Sequence, residues 1–146
     1  MKIGDKHTVT IEKISNLGLG IARVDGIVVF VENTCPNDEV IVEITHIKKS
    51  FAKAVVTEIV KPSEYRVHPF CPMQKVCGAC QLQFIDYTYQ LELKREIVKD
   101  TLYSIAGIDF NVLMPIASPE KKEYRCKVQY PISQTKVSKK NFSRLL

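Results

Sequence analysis

Gly18-Leu19-Gly20-Ile21-Ala22-Arg23-Val24-Asp25-Gly26-Ile27-Val28-Val29-Phe30-Val31 is the stretch that decides the fold. Gly18 and Gly20 mark a turn or bulge where the chain bends sharply. Asp25-Gly26 favours a tight hairpin, with Val28-Val29-Phe30-Val31 as its return strand. Upstream, His7-Thr8-Val9-Thr10-Ile11-Glu12-Lys13-Ile14 alternates apolar and polar residues, turning Val9, Ile11 and Ile14 inward. Downstream, Cys35-Pro36-Asn37-Asp38 is a second turn. Strands at 40–44 and 52–56 follow, joined through a basic link at Lys48-Lys49. Five short β-segments in sixty residues leave no room for a helix. They predict a small closed barrel of the OB type, since closure removes the edges an open sheet would expose. Lys61-Pro62-Ser63-Glu64 ends it.

Beyond the barrel the periodicity changes. Asp86 to Ala106 reads as one helix, with Leu91, Val98, Leu102 and Ile105 as its apolar face and Gly107 at the C-cap. Residues 111–116 and 125–131 read as strands with no partner in sight. The predicted organisation is a mainly β OB-like barrel at 1–60, a small α+β segment with a cysteine loop and helix at 61–110, and an incomplete sheet at 111–146.

Apolar residues make up 45% of the 146 and charged residues 25%, which sets disordered and low-complexity classes aside. The longest apolar run is the five residues Ile27–Val31, far short of the roughly 20 a membrane helix needs. No apolar secretory segment opens the chain, so a cytoplasmic monomer without membrane contact is expected. The net charge of +5 is uneven: residues 1–60 carry 7 basic and 8 acidic side chains, residues 121–146 carry 8 and 1. The basic C-terminal stretch points to a polyanion partner, nucleic acid being the usual one. Salt-sensitive binding governed largely by residues 121–146 follows, with the near-neutral barrel adding shape and stacking. In an OB-like barrel Phe30 and Phe51 are the aromatics available for stacking, and Lys48-Lys49-Ser50 the basic link. Phe30, inside an apolar run, reads first as core.

Cysteines stand at 35, 71, 77, 80 and 126. An odd count with tight clustering disfavours a disulfide framework and favours reduced thiols around a metal. Cys71-Pro72-Met73-Gln74-Lys75-Val76-Cys77-Gly78-Ala79-Cys80 is a short loop of three thiols, a donor set that suits zinc or an iron–sulfur cluster. Both want four ligands; His68 is a candidate fourth for zinc. Cys35 reads as a small packed residue, and Cys126, between Arg125 and Lys127, as an inert thiol. No glycine-rich nucleotide loop is present.

Cys71 through Cys77-Gly78-Ala79-Cys80-Gln81-Leu82-Gln83, then Tyr87, Gln90-Leu91, Lys94 and Ile105-Ala106-Gly107, resembles the RNA (uracil-5-)-methyltransferases, closest to their ribosomal-RNA branch. Gly18–Ala22 with Gly26–Val31 resembles the TRAM barrel that opens those enzymes. Glu123-Tyr124-Arg125 and Lys127–Pro131 resemble the start of their central domain. The resemblance implies a 4Fe-4S cluster on Cys71, Cys77, Cys80 and a later cysteine; the candidate RNA contacts are Lys48, Lys49, Phe51, Arg125 and Lys127. It further implies S-adenosylmethionine as methyl donor in the full-length family. There a cysteine adds to uracil C6, C5 takes the methyl, and a base removes the C5 proton. No residue of this chain matches those catalytic positions, so it is read as an N-terminal piece of a 23S rRNA methyltransferase. The family usually has asparagine where Cys126 stands and Pro-Gly where this chain has Pro36-Asn37. The alternative is a stand-alone TRAM-type module that binds RNA or zinc without catalysis.

Overall fold

The computed structural model describes residues 1–77, 79–123, 132–134 and 141–143. Six strands build the N-terminal sheet: β1 (Lys6–Thr10), β2 (Lys13–Ile14), β3 (Gly20–Val24), β4 (Ile27–Val31), β5 (Glu39–Ile47) and β6 (Phe51–Lys61). Their order is β1-β5-β6-β4-β3-β2, antiparallel except for the β4–β6 pair, which is parallel. The mainly β, OB-like class predicted for this half holds, with one difference in how the sheet comes round. Its end strands are consecutive pieces of one segment. Between them the Ile11 N–H donates to Asp38 C=O (2.9 Å) and the Glu12 N–H to Ile21 C=O (2.8 Å). The segment read as a single strand at 7–14 therefore bends to serve two neighbours. The sheet returns on itself through that bend and is not closed by a ladder.

Alternation fixes which side chains meet inside. Val9, Ile11, Ala22, Val29, Val31, Val40, Val42, Ile44, Ala52 and Ala54 form one buried cluster, taking every second residue of each strand. Asp25 and Gly26 both have positive φ (51° and 79°), as the two-residue hairpin turn requires. Asn37 takes the left-handed position (φ 68°) after Pro36, with Asp38 N–H donating to Cys35 C=O at 3.0 Å.

Gly20 is dictated by packing. A β-carbon there would overlap the buried Thr34 hydroxyl and crowd Ile11. We expect Gly20→Ala to cost about 1–3 kcal/mol by overpacking, read as a lower urea midpoint at unchanged slope. A midpoint equal to the native one would show that Thr34 can move aside freely.

Two helices follow, α1 (Gln74–Cys77) and α2 (Tyr87–Ala106). The sequence placed the ends of α2 correctly. Asp86 accepts from the N–H groups of Thr88 and Tyr89, and Gly107 (φ 67°) donates back to the last turn. Its buried face is another matter. Leu93 is buried, with Tyr89 and Ile97 packed beside it against Ile14, Cys35, Phe84 and Ile85. The predicted face runs along the other side: Val98 and Ile105 are exposed. Nor do residues 111–116 form a strand; without a sheet edge to pair with, their backbone gains nothing from extension. The strand expected at 125–131 lies outside the described residues. A short hairpin, β7 (Ile132–Gln134) with β8 (Asn141–Ser143), completes the described chain. Among the described residues no helix is long and apolar enough to cross a membrane.

Candidate nucleic-acid interface

With Val29, Val31, Ala52 and Ala54 committed to the interior, Val28, Phe30, Phe51 and Lys53 must face outward. The parallel register sets Val28 beside Phe51 and Phe30 beside Lys53. Phe30 and Phe51 meet edge to face, with ring centroids 5.6 Å apart and planes at 78°. Both rings are partly exposed. The reading of Phe30 as core is thus corrected: it sits on the outer face, where the hydrophobic run hid its alternation.

Basic groups surround this pair. Lys48 and Lys49 occupy the turn between β5 and β6, pinned where the Lys48 N–H donates to Phe51 C=O (2.8 Å). Lys53 projects from β6, with exposed His46 opposite it on β5. Arg23 lies one strand further on, opposite Val28, and approaches Glu12 at 3.7 Å. Among the described residues Lys48, Lys49 and Lys53 have no carboxylate within ion-pair reach, so their charge stays free for an anionic ligand. Aromatic faces ringed by unpaired ammonium groups can stack bases and hold phosphates. Sequence reasoning had found Lys48, Lys49 and Phe51. It missed Arg23 and Lys53, whose one available signal was their strand parity. Arg125 and Lys127 lie outside the described residues.

The cysteine loop packs on the far end of the barrel. The Cys71 N–H donates to Gln83 Oε1 (2.9 Å). Gln74, nearly buried, donates from Nε2 to Cys80 C=O (3.3 Å) and to Asn33 Oδ1 (3.4 Å), tying the loop to the barrel. A cleft of about 220 Å³ opens between Gly18-Leu19, Glu32-Asn33 and Gln74, with Cys80 on its wall. Cys71 is partly buried and Cys80 exposed, while His68 is exposed. Among the described residues, which exclude the Cys77 side chain, no three metal-ligating groups converge. By chemistry alone, three thiols are a donor set that a soft metal takes, and two glutamines anchor the loop backbone at Cys71 and Cys80.

Cys35 is a different kind of thiol. It is fully buried, and burial pushes its pKa up, with a hydrogen bond to Ser63 partly opposing. Such a thiol stays protonated at neutral pH and does no chemistry. The Asp38 carboxylate beside it is fully buried and accepts four bonds: Cys35 N–H (2.6 Å), Ser63 N–H (2.8 Å), Arg66 Nε (2.8 Å) and Arg66 Nη2 (2.7 Å). Arg66 also donates to Asn33 C=O (2.9 Å) and lies over the Phe84 ring at 4.9 Å. This knot joins the barrel to the segment that carries the cysteines.

Residues 1–57 match the TRAM domain. The chain is 37% identical over 134 residues to an uncharacterized RNA methyltransferase of Caldanaerobacter subterraneus, covering 92% of this chain and 30% of that protein. It is 39% identical over 125 residues to one from Thermosynechococcus vestitus, covering 85% and 28%. Among solved structures, the Pyrococcus abyssi tRNA (uracil-54, C5)-methyltransferase, determined with S-adenosyl-L-homocysteine, is 30% identical, with a TM-score of 0.46 and coverage of 78% of this chain and 24% of that one. The chain thus spans about 30% of the length of the curated relatives it matches.

Proposed function

From a chain that carries a TRAM domain at its N-terminus and is homologous to the N-terminal part of RNA methyltransferases, we propose an RNA-recognition and iron–sulfur-binding portion of an S-adenosylmethionine-dependent 23S rRNA (uracil-5-)-methyltransferase. The observation that carries the RNA part is the outward Phe30–Phe51 pair among Lys48, Lys49 and Lys53. Two partly exposed phenyl rings on one sheet face have no structural need for three unpaired ammonium groups around them; a single-stranded polyanion has a use for both. In this reading the barrel stacks bases, while Arg125, Lys127 and the rest of the basic 121–146 stretch add phosphate contacts. Cys71, Cys77 and Cys80 are the thiols that would hold the cluster. A bound 4Fe-4S group supplies structural cross-linking of the loop, since methyl transfer consumes no electrons. The specificity for 23S rRNA rests on the sequence resemblance described above.

Fluorescence anisotropy with a labelled uridine-rich single-stranded RNA tests the interface. Phe51→Ala should weaken binding by roughly 5- to 100-fold, matching the loss of one stacked base. Each of Lys48→Gln and Lys49→Gln should lower the salt slope by about 0.7 for the phosphate contact removed. If the barrel variants bind normally and only Arg125→Gln with Lys127→Gln weakens binding, the RNA surface lies in the C-terminal stretch. The outer face of the barrel would then have another purpose.

A further inference from the structure

The cleft beside the cysteine loop has two rigid walls and no part in the aromatic face of the barrel. One wall is the turn between β2 and β3. Ser15 Oγ accepts from the N–H groups of Leu17 (3.3 Å) and Leu19 (3.1 Å), and the Gly18 N–H donates to Ser15 C=O (2.9 Å). The turn is pressed closely on the loop: a β-carbon at Gly18 would stand 3.0 Å from Gln81 Cβ. Leu17 is thereby held in the open, 66% exposed, on the wall of the cleft.

The facing wall is built of amides. Asn33 sits in left-handed backbone (φ 58°), with its C=O taken by Arg66 and its Oδ1 by Gln74. Its Nδ2 donates to none of the described residues. Gln74 is only 5% exposed, and its bonds to Asn33 and Cys80 are both made by Nε2. Gln74 Oε1 accepts from none of the described residues. A carbonyl oxygen on a nearly buried side chain loses water on folding and needs a donor in its place. One free donor and one free acceptor thus belong to side chains that line the same cleft. Glu32, an acceptor only, and Lys75 flank them, neither in an ion pair among the described residues. Of the two loop thiols described, Cys80 lines the cleft and Cys71 does not, so it is not the hollow those thiols would enclose.

The volume of about 220 Å³ is below the roughly 300–1,000 Å³ of pockets for drug-sized ligands, and suits a single ring system. We propose that the cleft takes one unstacked base of the RNA, a base with an exocyclic amine beside a ring-nitrogen acceptor, as in adenine and cytosine. Carboxamides match that edge. Asn33 Nδ2 donates to the ring nitrogen, and Gln74 Oε1 or the Glu32 carboxylate accepts from the amine. Uracil turns carbonyl oxygens to the same place, and the Glu32 carboxylate repels them. Leu17 and Leu19 supply the apolar surface against which the ring lies. That the base belongs to RNA rests on the function proposed above; its selection rests on the cleft alone.

Side-chain amide NMR signals of the isotope-labelled 146-residue chain test this. Adenosine and cytidine at millimolar concentration should shift the Asn33 and Gln74 amides, with uridine binding roughly 5-fold or more weakly. A short oligoadenylate should move the same signals. Glu32→Gln, at an exposed and unpaired side chain, should erase most of the preference with thermal unfolding unchanged. Asn33→Asp keeps the acceptor for Gln74 and a residue type that tolerates left-handed backbone. By removing the donor it should weaken adenosine binding roughly 5-fold or more. Equal shifts with uridine, no shift at these amides, or adenosine binding indifferent to both substitutions overturns the proposal. So does adenosine binding that oligoadenylate does not reproduce, because the cleft would then serve a free nucleoside. Phe51→Ala should lower affinity for uridine-rich RNA and leave the adenosine shifts in place. Normal RNA affinity in that variant strikes the barrel reading and leaves the cleft standing.

Discussion

Asp38→Ala should remove about 3–5 kcal/mol of stability, the range found when one partner of a buried ion pair is deleted. The variant strands the Arg66 guanidinium, whose side chain is only 19% exposed, and leaves the N–H groups of Cys35 and Ser63 without their acceptor. Domains of this size have about 5–15 kcal/mol in all, so the loss should bring the urea midpoint close to zero or unfold the chain outright. Asp38→Asn keeps the shape but presents a donor where Arg66 needs an acceptor, and should follow closely. Arg66→Ala is expected to cost less than Asp38→Ala, since the carboxylate keeps its two backbone donors. The double variant should cost less than the sum of the two single ones, and a strictly additive cycle would show that the two side chains do not act as a unit. A loss below about 1 kcal/mol for Asp38→Ala would mean that this contact behaves as a surface pair.

That knot was invisible in the sequence, for a plain reason. Asp38 and Arg66 are 28 residues apart, and nothing local to either announces the other. What the sequence disclosed well was chemistry settled within a few residues. The Asp25-Gly26 hairpin, the Pro36-Asn37 turn, the helix start near Asp86 and the Gly107 stop were all legible, because each is dictated by residues close by in the chain. Val9 and Ile11 were also placed correctly by alternation, whereas Ile14, out of phase with them, is buried in a second cluster beyond the bend. The choice of helix face failed because α2 has two apolar stripes. Its buried one begins with Tyr89, stacked on Tyr65 at 3.7 Å, and tyrosines carry a weaker apolar signal than the leucines opposite. Periodicity detects a stripe but cannot say which partner claims it. Phe30 failed the same way: in Ile27–Val31 every residue is apolar, so parity could be read only once the β4–β6 register was known. For the candidate site, the cysteine spacing was plain. Its anchoring by Gln74 to Asn33, 41 residues away, was not.

The same anchoring frames the sharpest chemical test. Gln74 and Gln83 hold the loop through backbone groups of Cys80 and Cys71, so its backbone there is fixed by protein contacts and not by a metal alone. Anaerobic reconstitution of the folded chain with iron and sulfide should therefore yield a cluster, incomplete and easily lost to oxygen. Three thiolates leave one iron open to solvent, and an under-ligated cluster sheds that iron readily. Cys77→Ala should abolish the visible absorbance altogether. Two other cysteines are candidates for the missing ligand. Cys35 is excluded by its place: fully buried in the cluster of Ile14, Phe84, Ile85 and Leu93, it bonds to Ser63 and cannot reach a loop on the surface without opening that core. Cys126 stands 46 residues after Cys80, at a position where the resembling family carries asparagine. Cys126→Ala should accordingly leave the spectrum as it was. If it removes the cluster instead, the chain supplies its own fourth ligand and the family's later cysteine is not needed here. Stoichiometric zinc with no iron uptake would favour His68 as the fourth ligand and a stand-alone module, since zinc accepts an imidazole nitrogen where a 4Fe-4S centre of this type calls for sulfur.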